Sequence, residues 1–174
     1  LVDAIAAATL AAVTDLFRKH PGDHFYYCAL ITTGEAHPPN LTAWSTEALD
    51  VAASQHRGEP DARQDLKWSY ADSPFYCYGE EHFDEVRRLF DALGTPDPSD
   101  AEAWESAYGF KMCAMEEALA RLEQTGLFGS GARRARIVIN VECMPPDPTN
   151  VERARRLNPP EALVDWLREA AELA

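Results

Sequence analysis

The segment at residues 136–143, which reads Arg-Ile-Val-Ile-Asn-Val-Glu-Cys, constrains the fold of this chain more than any other. It is rich in β-branched apolar residues and is followed by the Pro-Pro-Asp-Pro run at 145–148. Such a run is typical of a strand in the middle of a sheet, covered on both faces. Only Asn140 and Glu142 interrupt it with polar side chains, and we interpret both, together with Cys143, as structural.

A second strand is predicted over residues 25–33, and we expect it to lie beside the first because both of its faces carry apolar or aromatic side chains. A short strand at 41–45 is expected to return against it as a hairpin. The alternation at 65–70 predicts a further strand. Because strands and helices do not alternate regularly, the sequence predicts an α+β fold: a single globular domain over residues 1–174. Its mainly antiparallel sheet has three to five strands, with about six helices packed on it.

Apolar residues at helical spacing indicate where those helices lie. Two capping boxes, at 99–102 and 149–152, are predicted to start a long helix and a short arginine-rich helix. The long helix is expected to end near residue 125. The other predicted helices cover residues 2–19, 46–55, 81–93 and a C-terminal segment that begins at 158–161.

The net charge of −13 over 174 residues argues against a nucleic-acid partner, since such partners require a cationic surface. No apolar run approaches the roughly 20 residues that span a bilayer, so no membrane association is expected. The four cysteines lie far apart and form no CxxC pair. Reduced thiols in a cytoplasmic protein are therefore expected.

The sequence predicts no catalytic residue, no cofactor and no metal ligand. Its five histidines are scattered, without the HxxxH or HExxH spacing of zinc sites. A Gly-x-Ser-x-Gly elbow is missing from the sequence. The glycine-rich segment at 126–131 precedes a strand and so lacks the context of a phosphate-binding loop. We therefore lean against an enzyme, while that question stays open.

An acidic and aromatic segment gives the leading functional prediction. Residues 72–102 contain nine acids and two arginines, a net charge of −7, whereas residues 133–156 carry a net charge of +3. Aromatic residues beside charge of one sign are typical of protein-binding hot spots, so we predict a face that binds a basic protein partner, in an immunity-like role. The predicted partner-binding residues are Trp68, Tyr70, Asp72, Tyr76, Tyr78, Glu80, Glu81, Asp84 and Glu85. The same pattern also fits the edge of an aromatic core and a solvated charged surface.

A small enzyme or ligand-binding protein is the alternative function. Its pocket is expected either near Tyr76, Cys77 and His82 or near the Asp147 loop. In the first place a cysteine beside a histidine could be activated as a nucleophile. In the second, a crevice could open at the end of the strand at 136–143. A homodimer with a structural role is also left open.

Four motifs, taken in their order along the chain, resemble the bacterial domain-of-unknown-function 4303 family. They are Phe-Tyr-Tyr-x-Ala-Leu at 25–30, Lys-Trp-Ser at 67–69, Arg-Ile-Val-Ile-Asn-Val-Glu at 136–142 and Asn-Pro-Pro-Glu-Ala-Leu-Val-Asp-Trp-Leu at 158–167. The resemblance covers nearly the whole chain and implies a bacterial cytoplasmic protein. The family has no established catalytic residues, so the resemblance implies none here.

Overall fold

A three-stranded mixed sheet lies at the centre of the computed structural model, which describes residues 1–56, 59–97 and 99–171. The strands are β1 (Phe25–Thr33), β2 (Asn40–Ser45) and β3 (Val138–Met144). Their order is β2–β1–β3, with β1 antiparallel to β2 and parallel to β3. The predicted hairpin of the first two strands is confirmed, as is the pairing of β1 with β3.

The class is α+β and the strand number falls within the predicted range, but three details of the sheet differ from the prediction. β1, not β3, is the middle strand. The sheet is mixed, because the long connection between β2 and β3 returns the chain parallel to β1. The predicted strand at 65–70 is wrong: a short helix occupies Ala62–Leu66, and turns follow it. Leu66, Trp68 and Tyr70 alternate in the sequence because their side chains pack against the sheet, although this segment pairs with no strand.

Eight α-helices lie within the described ranges, two more than the six expected, because two short ones were not anticipated. They are α1 (Val2–Lys19), α2 (Thr46–Gln55), α3 (Ala62–Leu66), α4 (Asp84–Leu93), α5 (Ala101–Gln124), α6 (Gly131–Arg134), α7 (Pro148–Leu157) and α8 (Val164–Glu169). Single 3-10 turns at Glu80–Phe83 and Pro160–Leu163 lead into α4 and α8. None of the helices in this part of the chain is both long and apolar enough to cross a bilayer.

The caps of α5 and α7 differ from the predicted capping boxes. Asp100 caps α5 by accepting a hydrogen bond from the backbone N–H of Ala103, at 3.0 Å. Asp147 caps α7 in the same way through the N–H of Thr149, at 2.8 Å. In both cases an aspartate near the predicted Ser or Thr takes the role, since a carboxylate is also favoured at the positive end of a helix.

The two faces of the sheet are packed differently. The first, here called the apolar face, is covered by α1 and α5, and apart from the buried Thr32 its strand side chains are apolar: Cys28, Leu30, Leu41, Ala43, Ile139, Val141 and Cys143. The second, here called the mixed face, lies under α2, α3, α7 and α8. It combines the buried apolar residues Tyr27, Ala29, Ile31, Trp44 and Val138 with the buried polar residues Thr42, Asn140 and Glu142.

The outer edge of β3 is closed by side chains from α7 and the residue after it. Each of these side chains hydrogen-bonds a residue of β3 whose backbone points away from β1. The pairs are Asn158 with Ile139 (2.8 Å to N, 2.6 Å to O), Arg153 with the oxygen of Val141 (2.7 Å) and Asn150 with Cys143 (2.8 Å to N, 3.1 Å to O). The contacts of a neighbouring strand are thus supplied by side chains, and this explains how so apolar a strand lies at an edge.

Candidate ligand-binding cleft at the carboxyl ends of β1 and β3

A cleft of about 660 Å³ opens where the parallel strands β1 and β3 end. The carboxyl ends of parallel strands are a common place for ligand sites. Thr33 and Glu142 contribute to the cleft from the two strands, and Pro145 and Pro146 come from the loop that follows β3. The aromatic side chains around it are Trp68, Tyr70 and Trp166.

Glu142 is the charged group of β3 that lines this cleft. The residue is only 6% exposed and lies among apolar side chains of the mixed face. Burial raises the pKa of its carboxyl above the usual value, and this effect outweighs the opposing influence of Tyr27, Asn140 and Arg153. The side-chain amide of Asn140 donates to its Oε1 at 3.3 Å. The carboxyl therefore retains acceptor capacity that the protein has not used.

The hydroxyl of Tyr27 is a second polar group left in this interior. It is fully buried and makes no hydrogen bond of standard geometry within the described ranges. It nevertheless lies close enough to the Glu142 carboxyl to lower the pKa of that carboxyl. Burial, followed by the nearby carboxyl, raises the pKa of the Tyr27 phenol. A buried polar group without a partner costs stability, so its retention calls for an explanation.

Arg153 supplies positive charge beside the carboxyl. Its guanidinium is buried and donates only to neutral acceptors: the oxygen of Val141, Oγ1 of Thr149 at 2.9 Å and Oδ1 of Asn150 at 2.5 Å. It forms no salt bridge with any described residue, while its field lowers the pKa of Glu142. Glu142 lines the cleft, and behind it the buried phenol of Tyr27 and the buried guanidinium of Arg153 act on its carboxyl in a low-dielectric setting, where each interaction is strengthened.

Trp68 is held in place by contacts on several sides. Its indole N–H donates to Glu169 at 3.0 Å, and its ring packs edge-on against Tyr26 and Tyr27 at centroid distances of 5.3 and 5.9 Å. The ammonium of Lys67 lies 5.0 Å from the ring centroid and 2.7 Å from the same Glu169 carboxylate. Lys67, then Arg168 and Trp68, hold the pKa of Glu169 at about 2. The indole is therefore a fixed wall of the cleft.

The aromatic members of the predicted partner-binding set are divided between two regions. Trp68 and Tyr70 line the cleft, and Tyr76, which is 41% exposed, packs edge-on against Tyr70 at 5.7 Å. Tyr78 instead packs against the core of the apolar face, where its hydroxyl donates to Asp15 of α1 at 2.9 Å. The structure therefore brings three of these four aromatic residues together and places the fourth apart.

The acidic members of that set lie at the surface. Asp72 accepts a hydrogen bond from the hydroxyl of Ser69. At the start of α4, Asp84 and Glu85 form ion pairs with the arginines three residues later, at 2.7 and 2.6 Å. The remaining two members, Glu80 and Glu81, are exposed in the 3-10 turn before α4. Local pairing therefore offsets part of the predicted negative charge.

The alternative prediction named two places for a pocket, and only one of them borders the cleft. Tyr76, Cys77 and His82 do not line the cleft, although Cys77 is half-buried and has an unusual positive φ of 56°. The loop around Asp147 does border the cleft through its two prolines. Among the described residues, no cluster of three or more His, Cys, Asp or Glu side chains could hold a metal ion.

Glu142, Asn140 and Tyr27 are the residues that sequence reasoning did not assign to a site. The signal was present in β3: two polar residues two positions apart interrupt the most apolar segment of the chain. Since alternate residues of a strand share a face, the side chains of Asn140 and Glu142 lie next to each other on the same face of β3. Nothing in the strand pattern indicated that Tyr27 would approach them.

The fold and the cleft together define an α+β domain with a polar-floored cleft at the ends of two parallel strands. The chain belongs to the family described as Domain of unknown function (DUF4303), whose model matches residues 5–159. This confirms the resemblance drawn from the four motifs. Searches of the curated proteins and of the solved structures found no match.

Proposed function

We propose that this protein binds a small, neutral, flat ligand in the cleft at the ends of β1 and β3. The observation that carries the proposal is the Glu142 carboxyl, which is buried, lines the cleft and makes no salt bridge within the described ranges. A ligand N–H or O–H would satisfy its unused acceptor capacity. The ligand's flat apolar part would lie against the indoles of Trp68 and Trp166.

The charges around the floor favour a neutral ligand over a charged one. Glu142 already feels the positive field of Arg153, so a ligand cation is not needed to balance it. A ligand anion would be repelled by the carboxyl whenever Glu142 is ionised. A neutral amide or a similar donor group avoids the repulsion, and it also avoids the cost of bringing a net charge into a poorly solvated site.

Three aromatic probes of similar size test this proposal: benzamide, benzoate and benzylamine. Binding is followed through the indole N–H signals of Trp68 and Trp166 in a nitrogen-15 NMR spectrum. We expect benzamide to shift both signals most, and Glu142→Gln to weaken its binding about five-fold or more. The matched control is Glu152→Gln, at an exposed glutamate of α7, which should leave binding unchanged. Equal benzamide binding by wild type and Glu142→Gln, or no shift of either indole, would exclude this function.

A second function, binding of a basic protein partner, is favoured by one observation. The carboxylates of Glu80, Glu81, Asp84 and Glu85 are all exposed at one end of α4. Such a charged surface can steer a basic partner and raise its association rate. In this proposal the protein is immunity-like. The test is association with purified products of the neighbouring genes, compared between wild type, Glu80→Lys/Glu81→Lys and a Glu152→Lys control. Unchanged association rates in the double variant would count against it.

The cellular setting that we propose is the bacterial cytoplasm. All four cysteines, Cys28, Cys77, Cys113 and Cys143, are free thiols, which suits a reducing compartment. Fractionation of the native host tests this placement. Recovery of the protein from the periplasm or the medium would contradict it.

A further inference from the structure

A second concavity lies at the opposite end of the sheet from the cleft. It has a volume of about 750 Å³ and is formed where α1 ends, β1 begins and α6 passes into β3. Its apolar lining consists of Phe17, Phe25, Tyr26, Phe128 and Ile137. Arg133 and Arg136 also line it, and the function proposed above uses none of these residues.

These two arginines differ from most others in the protein. Eight arginines form salt bridges with acidic side chains. Arg133 and Arg136 form none within the described part of the chain, and both are exposed. Arg155 of α7 is also exposed and unpaired within the described ranges, but Arg133 and Arg136 lie together along an aromatic groove, where a ligand could contact both guanidinium groups.

Two acidic groups at this end of the sheet hydrogen-bond other residues and not the arginines. Glu47 accepts hydrogen bonds from both the backbone N–H (2.7 Å) and the Nδ1 (2.6 Å) of His24, and these bonds lower the pKa of its carboxyl to about 2. Asp23 accepts from the hydroxyl of Ser45 at 2.6 Å. Neither arginine pairs with a carboxylate of the described residues, so both guanidinium groups can receive one from a ligand.

The local backbone makes room for Arg133. Gly129 has a φ of +95°, and a Cβ built there would lie 3.0 Å from both Cγ and Cδ of Arg133. The glycine therefore allows the aliphatic part of the arginine to pack against the chain. The backbone N–H of Arg136 in turn donates to the oxygen of Arg133 at 3.2 Å. This single turn fixes the spacing of the two arginines along the groove.

We propose that this groove binds a small aromatic carboxylate. A guanidinium presents paired N–H donors that match the two oxygens of a carboxylate. The phenylalanine side chains of the groove provide the apolar surface on which a ring packs. The proposal is independent of the cleft, because it concerns the other end of the sheet and an anionic ligand, whereas the cleft is proposed to bind a neutral one.

Benzoate is the test ligand, with benzamide as its neutral match and inorganic phosphate as an anion without a ring. Binding is measured from backbone amide shifts of Phe25, Phe128 and Ile137, which line this groove and not the cleft. We expect benzoate to shift these signals, and benzamide and phosphate to bind there at least about five-fold more weakly.

The double variant Arg133→Gln/Arg136→Gln should weaken benzoate binding about five-fold or more. Arg133→Lys/Arg136→Lys should retain part of the affinity, because lysine keeps the charge but not the paired donors. The matched control is Arg155→Gln, at an exposed arginine of α7 that also forms no salt bridge among the described residues. The three substituted positions are all exposed, so thermal unfolding should show that each variant keeps its fold. Equal benzoate binding by wild type and the glutamine variant, equal binding of phosphate, or no binding would overturn the proposal.

Discussion

The two faces of the sheet are built from alternate residues of the same three strands, yet they differ in chemistry. On the apolar face, burial is complete enough to raise the pKa of the Cys28 thiol to about 12. The strand side chains there are apolar apart from Thr32, whose hydroxyl has a hydrogen-bond partner. On the mixed face, Asn140, Glu142 and the Tyr27 hydroxyl are buried at some cost. The apolar face mainly stabilises the fold, whereas the mixed face borders the cleft that we propose as a binding site.

The largest effect is expected on the apolar face. Leu30→Ala, in the middle strand, should lower the free energy of unfolding by about 3 kcal/mol, since it removes a fully buried side chain and leaves a cavity. Urea denaturation measures this change. Leu10→Ala, at a position of α1 that is 42% exposed, is the control and should cost about 0.5 kcal/mol or less. Similar losses for the two variants would contradict the assignment of this face.

The next effect concerns the edge that both faces share. Asn158→Ala removes the side chain that bonds both backbone groups of Ile139, and it should cost about 2 kcal/mol, because buried polar groups lose their partners. The measurement is again urea denaturation. Asn158→Asp keeps an acceptor for the Ile139 N–H but loses the donors, so we expect an intermediate loss. A loss below that of the Leu10→Ala control would show that the edge is not closed by this residue.

A smaller effect, of opposite sign, is expected at Glu142. Its pKa is raised in the folded state, so the folded protein holds a proton that the unfolded chain releases, and stability falls as pH rises from the unfolded value near 4.5 through the folded one. Glu142→Gln removes this penalty. The variant should gain on the order of 1 kcal/mol relative to wild type between pH 4 and pH 8. Thermal unfolding of both proteins across this range measures the change. A stability difference between Glu142→Gln and wild type that does not vary with pH would contradict the prediction.

The smallest effect is expected at Tyr27. Its hydroxyl lies near the Glu142 carboxyl but makes no hydrogen bond of standard geometry within the described ranges, so Tyr27→Phe should leave stability unchanged or raise it by up to about 1 kcal/mol. Chemical denaturation at neutral pH is the measurement. A decrease of more than about 1 kcal/mol in the free energy of unfolding would mean that the hydroxyl makes a stabilising hydrogen bond. The mixed face would then contain no unsatisfied hydroxyl at Tyr27, and the contrast with the apolar face would be smaller.

Elements with a local signal were predictable from the sequence. β1 was expected over residues 25–33, which is its observed extent, and the helix at 46–55 likewise agrees with α2. Both have sharp boundaries in turn or capping residues. The position of β3 in the sheet was not predictable, because it depends on side chains of α7 that approach its edge only in the folded chain.

The candidate site was predictable only in part, for a related reason. The sequence predicts a functional aromatic segment, but nothing in a linear pattern separates Trp68, which reaches the cleft, from Tyr78, which packs on α1. Glu142 was interpreted as structural because its strand is otherwise apolar. Its raised pKa and its place in a cleft depend on burial by distant elements, and such burial is a property of the folded molecule alone.

The closed edge of β3 has a consequence for self-association. Exposed strand edges act as templates on which other chains add strands and aggregate. In this protein β3 is blocked by side chains of α7, and the outer edge of β2 is covered by the segment before α4, where the Tyr78 N–H donates to the oxygen of Leu41 at 3.2 Å and the Ser73 hydroxyl donates to that of Ala43. Variants that open either edge should therefore form intermolecular β-structure at protein concentrations where the wild type stays monodisperse.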